Sequence, residues 1–63
     1  MSRELTNRYG VRQELDGSWT VIDIFTGLIT SYNELPLGPL TESEAVKMCT
    51  VVNALDKHRR RSL

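Results

Sequence analysis

One cysteine and one histidine are the only side chains of their kind in this 63-residue sequence. Cys49 alone cannot close a disulfide within the chain, which fits a reducing compartment such as the cytosol. Together with His58 it falls short of the roughly four ligands of a Cys/His zinc site, so a single chain cannot build one. No apolar run approaches the roughly 20 residues of a membrane span. The opening Met1-Ser2-Arg3-Glu4 leads into polar sequence without the apolar core of a secretory signal. Net charge is missing too: eight Lys and Arg balance eight Asp and Glu. What remains is an ordinary globular composition, 40% hydrophobic and 25% charged, long enough for one domain. A chain this short buries only about 60% of its unfolded surface. Without disulfide or metal, oligomerisation is the commonest remaining support.

Residues 1–8 are polar and unpatterned, and read as a flexible arm. From Tyr9 the pattern alternates: Tyr9, Val11, Gln13 and Leu15 interleave with Gly10, Arg12 and Glu14, the period of a half-buried strand. Asp16-Gly17 is a hairpin turn signal, since glycine takes positive φ without a steric cost. Ser18 to Phe25 is rich in β-branched and aromatic residues, Thr26-Gly27 punctuates, and Leu28 to Tyr32 reads as a third strand. Pro36 and Pro39 then mark 33–40 as a loop. Thr41-Glu42-Ser43-Glu44 fits a capping box, with both acids suited to a helix N-terminus. The run that follows carries Ala45, Met48, Cys49, Val52 and Leu55 at helical spacing, with Val51 widening the stripe. The expected fold is α+β: a three-stranded antiparallel meander (about 9–15, 18–25 and 28–32), then one amphipathic C-terminal helix (about 42–57) packed on one sheet face. A basic tail over 58–63 ends the chain.

The second and third expected strands are apolar on both sides, whereas a one-sided antiparallel sheet has a polar outer face. With two-residue turns at both punctuation points, one face reads Tyr9, Val11, Ile22, Ile24 and Ile29. The other reads Trp19, Val21, Phe25, Leu28 and Tyr32. A three-residue first turn with a glycine bulge regroups the first strand and leaves the other two unchanged. One helix covers one face, so the other needs a second cover. A two-fold homodimer supplies it, with Trp19, Val21, Phe25, Leu28 and Tyr32 as interface candidates. The competing arrangement folds Leu5, Leu35, Leu37 and Leu40 over the open face of a monomer.

Chemical motifs are sparse, and the chain is expected to be non-enzymatic and without a cofactor. Asp23, inside Val21-Ile22-Asp23-Ile24-Phe25, has the setting of a carboxyl with a raised pKa, but an acceptor for the Thr26-Gly27 turn is the favoured reading. Cys49 reads as a small core residue and His58 as an exposed one. Pro36 and Pro39 form a lone PxxP, more readily a connection than a ligand. Lys57, Arg59, Arg60 and Arg61 leave a local charge of +4 at the end of an otherwise acidic chain, and make Arg59, Arg60 and Arg61 candidate phosphate contacts. Nucleic acid is therefore the alternative partner to a second copy.

The β-β-β-α order from Tyr9 to Lys57 resembles the small DNA-binding domains of the plant AP2 type and of tyrosine-integrase N-terminal arms. Those families present a three-stranded sheet to the major groove. Here the sheet offers Arg12 alone among Trp19, Val21 and Phe25, where base and phosphate contacts need several cations. The stretch Asp16-Gly17-Ser18-Trp19-Thr20-Val21-Ile22-Asp23-Ile24-Phe25-Thr26-Gly27, with its Pro-rich loop and Thr-Glu-Ser-Glu-Ala helix start, resembles short alphaproteobacterial (rhizobial-type) β-β-β-α proteins of unassigned role. That resemblance implies a bacterial cytoplasmic setting and no particular activity.

Overall fold

The computed structural model describes residues 7–61. Two antiparallel hairpins precede one long helix: β1 (Tyr9–Gln13) with β2 (Trp19–Asp23), β3 (Ser31–Tyr32) with β4 (Leu35–Pro36), then α1 (Glu42–Arg61). The architecture is α+β, but the expected single three-stranded meander is not what forms. The third segment starts as expected, with Ile29 bridged to Ile22 and Asp23 N–H donating to the Leu28 carbonyl (2.9 Å). At Thr30 it leaves. Thr30 N–H donates to the Val21 carbonyl (2.9 Å), and Val21 N–H donates to Leu37 (2.9 Å). Leu37 N–H donates in turn to Thr30 (2.9 Å), extending the β3–β4 ladder by one pair. The second hairpin is thus planted on the main chain of Val21, its first strand at the end of the expected third strand and its second inside a region expected to be loop. Leu40 then exchanges both of its hydrogen bonds with Trp19 (2.8 Å each). The outer edge of β2 is served in pieces by residues 27–30, 37 and 40, which satisfies groups that a buried strand cannot leave unpaired.

Both turn geometries differ from two-residue loops. In the first hairpin Gln13 pairs with Trp19, and Glu14 N–H reaches Ser18 (2.8 Å) across Leu15-Asp16-Gly17, with Gly17 at φ 90°. This is the three-residue alternative with a left-handed glycine. It slips β1 by one residue, so Tyr9 and Val11 face the same way as Trp19 and Val21. In the second, four residues separate Asp23 from Leu28. Asp23 builds that turn: its Oδ1 accepts from Phe25 N–H (2.9 Å) and its carbonyl from Gly27 N–H (2.7 Å).

The capping box at Thr41 forms as read. Thr41 N–H donates to Glu44 Oε1 (2.9 Å), and Glu44 N–H donates to Thr41 Oγ1 (3.2 Å). The cap holds the Glu44 carboxyl below its ordinary value, through hydrogen bonds from the Thr41 main chain and hydroxyl. The helix continues to Arg61, so most of the expected basic tail is its last turn, where cations oppose the helix dipole. Val21, Leu37, Ala45 and Val52 form the buried core, with Tyr9, Trp19, Leu40, Met48 and Cys49 packed around it. Of the expected stripe, Val51 and Leu55 are exposed; Asn53 and Asp56 are buried instead. Residues 1–6 of the expected arm lie outside the described residues. Arg8, placed there too, is held by the fold: its carbonyl accepts from Ile24 N–H (2.8 Å) and its side chain bridges Asp23 (3.0 Å) and Asp56 (3.8 Å).

Candidate interaction surface

The register decides which side chains remain outside. On the helix side lie Tyr9, Val11, Trp19 and Val21, with Val21 at 0% exposure. On the open side lie Gly10, Arg12, Thr20, Ile22, Ile24 and Ile29. Thr20 is nonetheless buried, because the chain wraps the outer edge of β2 at Gly38. A Cβ built on Gly38 would stand 2.8 Å from Thr20 Oγ1. Ile24 folds back over Gly10, where a Cβ would meet its side chain at 3.4 Å. Ile24 and Ile29 remain half exposed, and Phe25 and Leu28, in the turn between them, are 69% and 68% exposed. Arg12 spans this side, donating to Glu14 (2.9 Å) and to the Gly27 carbonyl (3.3 Å).

The five interface candidates therefore separate. Val21 is withdrawn beneath the helix of its own chain, and Trp19 is half buried with its main chain fixed to Leu40. Phe25 and Leu28 are outside, and Tyr32 lies partly exposed on the second hairpin. Ile22, Ile24 and Ile29 share one side, as alternation assigned them, and it is this side rather than the one carrying Trp19 and Val21 that the helix leaves open. Leu28 stands opposite Asp23, from whose N–H its carbonyl accepts, while Phe25 lies within the 24–27 turn. Leu35 and Leu37 part company as well: Leu37 enters the core while Leu35 is exposed.

Polar residues that the sequence reading passed over hold the helix to the sheet. Asn53 Oδ1 accepts from Tyr9 N–H (2.9 Å) and Asn53 Nδ2 donates to the Tyr9 carbonyl (3.1 Å). One side-chain amide thus completes both outward-facing groups of an edge-strand residue. Cys49 Sγ also lies against that carbonyl (3.5 Å), and burial pushes its thiol pKa up, partly offset by Asn53. Arg8 links the buried carboxylates of Asp23 and Asp56, and Arg60 folds back on Asp56 (2.7 Å). Burial raises the Asp23 pKa, but the hydrogen bond from Arg8 and those from the Phe25 and Thr26 main chain outweigh it and set it below its ordinary value. The signal that could have found this network is the spacing of Cys49, Asn53 and Asp56 along one helix face.

Of the three candidate phosphate contacts, Arg60 is thus engaged with Asp56. Arg59 lines a cleft of about 300 Å³ with Tyr9, Thr30, Tyr32, Leu55 and His58, and Arg61 is exposed at the helix end. Among the described residues no group of three or more His, Cys, Asp or Glu is placed to hold a metal ion, and no helix is long and apolar enough to cross a membrane. No family model matches the chain, and no curated protein or solved structure matches it either. The AP2-type resemblance rested on strand order, and the two-hairpin arrangement removes that basis.

Proposed function

We propose that this chain is a small non-enzymatic interaction protein whose contact surface is the open side of the β1–β2 sheet, covered by a second copy. The observation that carries the reading is that Ile24 and Ile29 on this side (52% exposed each), and Phe25 and Leu28 in the adjoining turn (69% and 68%), are large apolar side chains left outside the core. Burying one such side chain is worth about 1.5–3 kcal/mol. Sedimentation at micromolar concentration tests it. The expected result is a dimer or larger species that survives high salt and whose mass falls in Phe25→Asp and Leu28→Asp. A single 7.2 kDa species would remove the proposal. Loss of association at high salt, with Phe25→Asp unchanged, would instead favour a charge-driven contact through the Arg59–Arg61 end.

A further inference from the structure

We infer that two copies of the chain also pair through the outer edge of β1, antiparallel and centred on Gln13, so that Arg12 of each faces Glu14 of the other. This contact uses a different surface from the open face and does not rest on it. Three observations lead there.

The first is which main-chain groups point outward. Ile24 N–H donates to Arg8 and Glu14 N–H to Ser18, so even-numbered residues of β1 turn their main chain toward β2. The odd-numbered ones turn theirs away, as Asn53 shows by capturing both groups of Tyr9. Val11 and Gln13 repeat that orientation with exposed side chains, and β1 is an edge strand. The edge carries neither the proline nor the lysine that commonly blunts such a template.

The second is how far the edge is open. The helix begins beside Trp19 and Leu40, on the far side of β2, and among the described residues its side chains hydrogen-bond to β1 at Tyr9, through Cys49 and Asn53. Tyr9 is therefore occupied, whereas Val11, Gln13 and Leu15 are exposed, and none of the described residues bonds to their outward main chain. Leu15, at the tip of this stretch, is fully exposed.

The third is charge. Outward-facing residues must oppose outward-facing residues, which leaves two-fold registers centred on Val11, Arg12, Gln13 or Glu14. Centring on Val11 sets Gln13 against the occupied Tyr9. Centring on Arg12 or on Glu14 sets that charge against its own copy, and like charges directly opposite are unfavourable. Centring on Gln13 sets Arg12 against Glu14 and Val11 against Leu15. Arg12 and Glu14 already bridge within one chain at 2.9 Å on the same side of the sheet. Pairing extends the bridge to a ring of four alternating charges. The two-fold axis runs perpendicular to the sheet, so the four-stranded product carries both Ile24–Ile29 clusters on one side. Edge and face contacts used together close a tetramer of two stacked sheets.

The test is a charge exchange in full-length chain carrying Phe25→Asp, which removes the face contact and leaves the edge. Sedimentation across the high-micromolar range is expected to show a dimer. Arg12→Glu alone and Glu14→Arg alone each weaken it by roughly tenfold or more, since each brings four like charges together. Mixing the two single variants restores a heterodimer, although neither chain regains its internal Arg12–Glu14 bridge. Circular dichroism confirms that each single variant is folded. In the same background, Gln13→Cys is expected to cross-link to itself under mild oxidation and Val11→Cys is not, because only position 13 meets its own copy within disulfide reach. Failure of the mixture to associate, or cross-linking at position 11 and not 13, overturns the inference. If Phe25→Asp leaves the wild-type mass unchanged while the charge exchange behaves as described, the face contact fails and the edge stands.

Discussion

The two hairpins of this chain solve the same problem with opposite means. The first is long enough to have a register, and everything around it enforces that register. Its loop takes positive φ at a glycine, Gly17. Its outer strand is capped at Tyr9 by Asn53, and its inner strand is paired along both edges. The second hairpin has two-residue strands, largely exposed, and a tight turn at Asn33 and Glu34 with φ of 51° and 68°. Asparagine tolerates that region and glutamate does so poorly. This hairpin keeps its place through its base, where Thr30 and Leu37 bond to Val21 and Leu37 enters the core. A short strand pair persists when its root is buried, even where its turn is strained.

Substitutions that reverse this contrast rank as follows. Val21→Asp places a charge at the fully buried joint between both hairpins and the helix. It is expected to cost more than about 3 kcal/mol and to abolish cooperative thermal unfolding. Asn53→Ala unpairs both main-chain groups of Tyr9. Its expected cost is about 2 kcal/mol by urea titration, with amide exchange at Tyr9 accelerating before that at Val21. Glu34→Gly relieves the left-handed strain of the second turn and is expected to stabilise by about 1 kcal/mol; Gly17→Ala, in the first, is expected to destabilise. The smallest effect is a pH slope. The folded Asp23 carboxyl lies below its ordinary value of 3.8, so its contribution is present above that pH and fades as pH falls through the folded value. Asp23→Asn is expected to flatten the acid limb of the stability curve below about pH 4 and leave its shape at neutral pH unchanged.

The sequence displayed its local signals clearly and its long-range ones poorly. Thr41 and Glu44 formed the cap their spacing implies, because capping is decided within four residues. Asp23 became a turn acceptor for the same reason. The second hairpin was hidden because the turn signal is asparagine followed by glycine, and here a glutamate stands second. The break at Thr30 was hidden because two apolar strands side by side have no local reason to part. What parts them is Leu37, returning to take the Val21 amide that a continuous third strand would have used. In the contact surface, Phe25 and Leu28 were legible as apolar and outside, and Ile24 and Ile29 as sharing one face; which face the helix would cover was not legible. Asn53 and Asp56 were passed over because a polar residue on an apolar stripe resembles its edge.

The double duty of Val21 also sets an order of events. Thr30 and Leu37 need the peptide group that the neighbouring ladder presents, so the second hairpin is expected to dock after that ladder forms. Replacing Glu34 by glycine should accordingly slow unfolding and leave the refolding rate nearly untouched, whereas changes near Gly17 should slow refolding itself.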